Sequence, residues 1–221
     1  MRIVRTVAKA VACIAFIPAL VMAQKPADRA FVDSWFWGIK GGTAMFKVAN
    51  GAGQKMAPSV GAEWLITRTK IALNVSVEQS FFDDQTGVYD PTVSGAFRAV
   101  DISDWRRYQA SIFFFPKAFD QLRPYAGMGL AINAIQNASP RGQFISQGAQ
   151  DSVFRQVSDY SSRASVVFTG GAQYAVGRAS LFGQASAMPT RSRFLVSGSP
   201  YTVMFEGGVR YNIGSAIEKL K

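Results

Sequence analysis

Six charged residues, Lys40, Glu63, Glu78, Arg107, Glu206 and Arg210, stand opposite rows of apolar residues in a chain of which only 17% is charged. Three are acids and three are bases. Groups of this kind either exchange protons with a substrate or neutralise one another where water is scarce. The first use is curtailed, because the chain contains no histidine. Without it the commonest proton-transfer group near neutrality is missing, and with it Ser-His triads and nearly every zinc site. The single cysteine, Cys13, lies near the N terminus and offers no ligand cluster. Other acids and serines (Asp83, Asp84, Asp90, Ser146, Asp151 and Asp159) fall in polar connecting segments, where such residues ordinarily form turns. No catalytic, cofactor-binding or metal-binding residue is therefore expected, and no cofactor. The remaining chemistry is ion pairing in a secluded polar interior, with Gln109, Gln173 and Gln184 on the same faces.

The elements that would hold such an interior are strands. At the end of the chain Tyr201, Val203, Phe205, Gly207, Val209, Tyr211 and Ile213 share one face, and Thr202, Met204, Glu206, Gly208, Arg210 and Asn212 share the other. That is a period of two. Ile71, Leu73, Val75 and Val77 oppose Ala72, Asn74, Ser76 and Glu78 in the same way, and Val60, Ala62, Trp64 and Ile66 oppose Gly61, Glu63 and Thr67. Strands are expected at about 35–49, 57–68, 70–82, 99–115, 123–136, 161–176, 179–189 and 201–213. Joins at 68–70, 116–122 and 176–179 are short, and those at 50–56, 83–98, 137–160 and 190–200 are longer and polar. This alternation suits an even-numbered up-and-down barrel with short periplasmic turns and long external loops. Charged residues on such strands must face the lumen, since each would cost a few kcal/mol in hydrocarbon. Eight strands leave an interior just wide enough for side chains, so the polar residues should fill it.

Residues 1–23 have the layout of a cleaved signal peptide: basic Arg2, Arg5 and Lys9, an apolar run from Ala10 to Val21, and small residues up to Ala23. After it no apolar run reaches the about 18 residues of a membrane helix. The segments that follow are expected to be a short periplasmic stretch (24–34), a transmembrane barrel (35–214) and a short periplasmic tail (215–221). The formal charge is +10, but the cations are scattered between apolar stretches and form no nucleic-acid-binding module. Aromatic residues gather near expected strand ends as an interface girdle would. Trp35, Phe36 and Trp37 open the first strand, Phe113, Phe114 and Phe115 close the fourth, Tyr125 opens the fifth and Tyr211 nearly closes the last.

Arg123-Pro124-Tyr125-Ala126-Gly127-Met128-Gly129-Leu130-Ala131, with Val60-Gly61-Ala62-Glu63-Trp64 and the closing Gly207-Gly208-Val209-Arg210-Tyr211-Asn212-Ile213-Gly214, resembles the outer-membrane protein β-barrel superfamily. The likeness is to the small eight-stranded barrels of the outer-membrane protein A, X and W type. It implies an all-β, eight-stranded antiparallel up-and-down transmembrane barrel in the cell outer membrane. It also implies insertion by the barrel-assembly machinery, with Tyr211 and Ile213 as the terminal signal, although Ser215 to Lys221 continue beyond the usual end. The expected role is non-enzymatic and monomeric, structural or exerted through external loops. Outer-membrane lipids and lipopolysaccharide are the expected partners, the latter through Arg141, Arg155, Arg191 and Arg193. The alternatives are a narrow pore, a small hydrophobic-ligand transporter, and a lipid-modifying enzyme that the missing histidine disfavours.

Overall fold

A computed structural model describes residues 31–49, 53–116, 121–190 and 193–216. Residues 1–23, expected to be a signal peptide, Arg191 and most of the 215–221 segment lie outside the described residues. Eight antiparallel strands follow in chain order: β1 (Ser34–Phe46), β2 (Lys55–Thr67), β3 (Ile71–Tyr89), β4 (Phe97–Phe114), β5 (Leu122–Pro140), β6 (Ser162–Val176), β7 (Ala179–Pro189) and β8 (Tyr201–Ser215). Each pairs with its sequence neighbours, and β1 also pairs with β8, from Ser34 opposite Ser215 to Met45 opposite Val203. The sheet therefore closes, and no strand is left as an edge.

The period-two pattern sets the two faces. Trp37, Ile39, Val60, Leu73, Val75, Leu130, Val209 and Tyr211 point outward and are exposed, while the polar residues between them are buried. This inverts the usual sorting of a soluble protein. An apolar outer belt around a polar interior is stable only where hydrocarbon replaces water outside.

Two elements depart from the expected layout. The segment 83–98 is mostly strand: β3 and β4 continue as a paired hairpin to Tyr89 opposite Phe97, leaving 90–96 as the connection. Turn-forming Asp83, Asp84 and Gly87 hid this, because an extension into water carries no apolar alternation. The segment 137–160 is not a plain loop either. β5 runs to Pro140, and a helix, α1 (Gln147–Ser161), follows. Ser146 caps it, its hydroxyl accepting from Ala149 N at 3.2 Å, and Val153 and Val157, four apart, are buried on one face.

Close strand approach explains the glycines of the Pro-Tyr-x-Gly-x-Gly stretch. A Cβ on Gly127 would lie 2.4 Å from Ile112 O, and one on Gly129 would lie 2.1 Å from Ala110 O. Gly129→Val should therefore block barrel closure. On an unboiled electrophoresis gel of refolded protein it should run as the unfolded band. A folded band equal to that of the wild type would refute the steric account.

Candidate functional site

The lumen is filled in three layers. At the short-turn end Phe31, Phe36, Leu65, Ala72, Phe113, Phe115 and Tyr125 form an aromatic floor, with the Phe113 and Tyr125 rings stacked at 5.0 Å. At the long-loop end Phe46, Trp105, Ile102, Met188 and Met204 from the strands meet Val153 and Val157 of α1 and Phe194, Leu195 and Val196 of the 190–200 connection. The helix sits over the mouth as a lid with its apolar face down. Between these layers lie the six charges.

Lys40, on β1, pairs with Glu78 of β3 and lies 3.1 Å from Glu206 Oε1 and 4.0 Å from Glu63 Oε2. Arg107 of β4 pairs with the other Glu78 oxygen and lies 3.3 Å from Glu206 Oε2. Arg210 of β8 donates from Nε to Glu63 of β2 and from Nη1 to Gln173 at 2.8 Å. Its guanidinium also lies 3.8 Å over the Phe182 ring. All six are buried. Three acids facing three bases leave no net charge, and five strands contribute, so the network fixes the barrel's cross-section as well as filling it.

Uncharged groups complete it. Tyr125 OH donates to Gln184 Oε1 at 2.9 Å, and Gln184 Nε2 donates to Glu206 Oε2 at 2.9 Å. Ser76 Oγ donates to Glu78 at 2.9 Å, and Asn74 Nδ2 donates to Glu63 at 3.3 Å. These groups satisfy lone pairs that ion pairs alone leave open.

The expected girdle divides. Trp35, Trp37, Phe114 and Tyr211 are exposed on the outer face near the short-turn end, where Trp37 meets Trp64 edge-on at 5.3 Å. Tyr125 is a correction: it is 3% exposed and lies inside, with its hydroxyl in the network. Phe36, Phe113 and Phe115 are also inside. Alternation requires this, since consecutive aromatics in a strand cannot share a face. The usable signal was parity, because Tyr125 shares its face with Ala131 and Asn133, opposite Leu130 and Ile132.

At the long-loop end Arg141 Nε donates to Asp101 at 2.6 Å, whereas Arg155 on α1 and Arg193 are exposed. Arg193 adopts a left-handed φ of 74°. Arg98, which sequence reasoning passed over, ties this surface together. It donates to Asp90 at 2.6 Å and to the carbonyls of Arg141 and Gln143 at 2.7 and 3.2 Å, and it lies 4.1 Å over Phe144. Hydrogen bonds from the Thr92 hydroxyl, from Arg98 and from the Thr92 amide hold the Asp90 carboxyl down at about 2. Among the described residues no group of three or more acids, cysteines or histidines is placed to hold a metal ion, and no helix is long and apolar enough to cross a membrane.

No protein-family model matches the chain, and no curated protein matches it. Solved structures do. Neisserial surface protein A is 12% identical, with a TM-score of 0.50 over 81% of this chain and 97% of that one. Ail of Yersinia pestis is 10% identical (TM-score 0.47, 82% and 99% covered), and OprG of Pseudomonas aeruginosa is 13% identical (TM-score 0.44, 82% and 94% covered). With its closed sheet and apolar outer belt, the chain has the fold of a small eight-stranded β-barrel of the outer membrane.

Proposed function

We propose that this protein is a closed, non-enzymatic outer-membrane barrel whose role is structural or lies in surface contact through its external loops. One observation carries the reading: aromatic floor, ionic network and apolar lid succeed one another along the lumen, so a solute would have to displace all three. Full closure of the sheet leaves no edge for strand pairing with a second copy, which supports a monomer. Tyr211 and Ile213, both outward on the last strand, are positioned for the barrel-assembly machinery to read. Of the loop arginines, Arg155 and Arg193 are the ones exposed without an ion pair among the described residues, so they are the groups offered to lipopolysaccharide phosphates. Planar-bilayer recording of purified, refolded protein tests the reading. No large, reproducible channel is expected, and regular openings of porin size would overturn it.

A further inference from the structure

The outer wall of the barrel is not apolar throughout its height. On β4 the outward residues run Phe114, Ile112, Ala110 and Tyr108, and the next one is Arg106. On β3 they run Ile71, Leu73, Val75 and Val77, followed by Gln79, which is paired in register with Arg106, and then by the exposed Phe81. On β5 the apolar outward run ends at Ala134, before Gln136. The three strands thus each carry a polar outward residue at one level, with Phe81 beside it. From Phe114 to Arg106 is about 26 Å along the strand at roughly 3.3 Å per residue. A strand tilt of roughly 35–45° reduces that to about 20 Å of height, close to the top of an apolar belt of about 25 Å.

A groove of about 500 Å³ opens at this level. Val60, Val77 and Phe81 supply its apolar wall, and Gln79, Arg106, Asp104 and Gln136 its polar one. Gln79 Oε1 accepts from Arg106 Nε at 2.9 Å, which aims the guanidinium. Among the described residues the Arg106 side chain has no ion pair and no other hydrogen bond, so both of its terminal nitrogens are left without a partner. A guanidinium so placed, at the boundary between hydrocarbon and headgroups, is completed by an anion that arrives with apolar chains attached.

We propose that this groove binds the phosphate of a phosphorylated glycolipid of the outer leaflet, with Arg106 as the anion donor, Gln79 as its positioning residue and the apolar wall holding the first part of an acyl chain. Asp104 opposes the anion and limits its affinity. It sits at a left-handed φ of 54°, a conformation asparagine accepts readily, so its charge can be removed without disturbing the backbone. The site lies on the barrel wall, apart from the loop arginines, and stands or falls independently of the closed lumen.

The test titrates refolded, detergent-solubilised protein with diphosphorylated lipid A and reads the bound fraction by native mass spectrometry. Unboiled gels confirm that each variant is folded. Arg106→Gln should weaken binding roughly tenfold, the scale of one charge-assisted hydrogen-bond set. Asp104→Asn should tighten it, and Arg68→Gln, at the short-turn end where Arg68 pairs with Asp33, should leave it unchanged. Lipid A stripped of its phosphates should bind as weakly to the wild type as intact lipid A binds to Arg106→Gln. Unaltered binding by Arg106→Gln overturns the site, and a loss seen with Arg155→Gln on α1 but not with Arg106→Gln assigns the contact to the loops instead. Displacement of lipid A by inorganic phosphate at equal concentration would show a free-phosphate site and overturn the lipid assignment.

Discussion

Replacing Arg210 with methionine should cost about 3–5 kcal/mol of stability, the range for removing one partner of a buried ion pair. The cost arises from what is left behind. Glu63 loses its main partner while fully enclosed, Gln173 and Tyr125 each lose a donor, and the lumen is left with three acids against two bases. Methionine keeps most of the contact with Phe182, so the effect is chiefly electrostatic. The double variant Arg210→Met, Glu63→Met should recover most of the loss, because the remaining Lys40, Glu78, Arg107 and Glu206 again balance. Folded fractions read on unboiled gels across a urea series, in phospholipid vesicles, provide the measurement. A single variant within about 1 kcal/mol of the wild type would mean that water reaches this part of the lumen and screens the pair.

The same residues show what the sequence could convey. Alternation around Glu63, Glu78, Glu206 and Arg210 indicated which face is enclosed, because a charge opposite an apolar row has one tolerable direction in a barrel. It could not indicate partners. Arg210 and Glu63 are 147 positions apart and meet only through closure of β8 onto β1. Closure depends on register, which is invisible in any single strand. Tyr125 departs from the expected girdle for a related reason: its place near a strand end suggests the interface, but parity decides the face. Helix α1 is hidden in a polar segment because its apolar stripe is short: Val153 and Val157 are buried, Tyr160 packs partly against the same cluster, and the neighbouring Phe154 is exposed and blurs the stripe. Above the belt the constraint that made the strands legible ceases. The β3–β4 hairpin there is held by backbone pairing and by polar contacts such as Arg98 with Asp90, neither of which imposes a period on the sequence.

That upper region also carries the second large effect. Trp105 lies at the centre of the apolar lid, 6.1 Å from the Phe46 ring and 6.3 Å from the Phe194 ring, with 2% of its surface exposed. Trp105→Ala should cost about 3–5 kcal/mol, the usual range for emptying a packed aromatic site. Trp105→Phe should cost far less. The indole Nε1 is buried with no hydrogen-bond partner among the described residues, so phenylalanine removes an unsatisfied donor while retaining most of the ring contacts. The order alanine, phenylalanine, wild type in urea midpoint checks the packing. Bilayer recording of the same alanine variant then separates stability from sealing. With the ionic network and the aromatic floor intact below it, Trp105→Ala should remain silent although it is less stable. A conducting variant would instead make the lid the sole seal, leaving the network to hold the strands together without blocking passage.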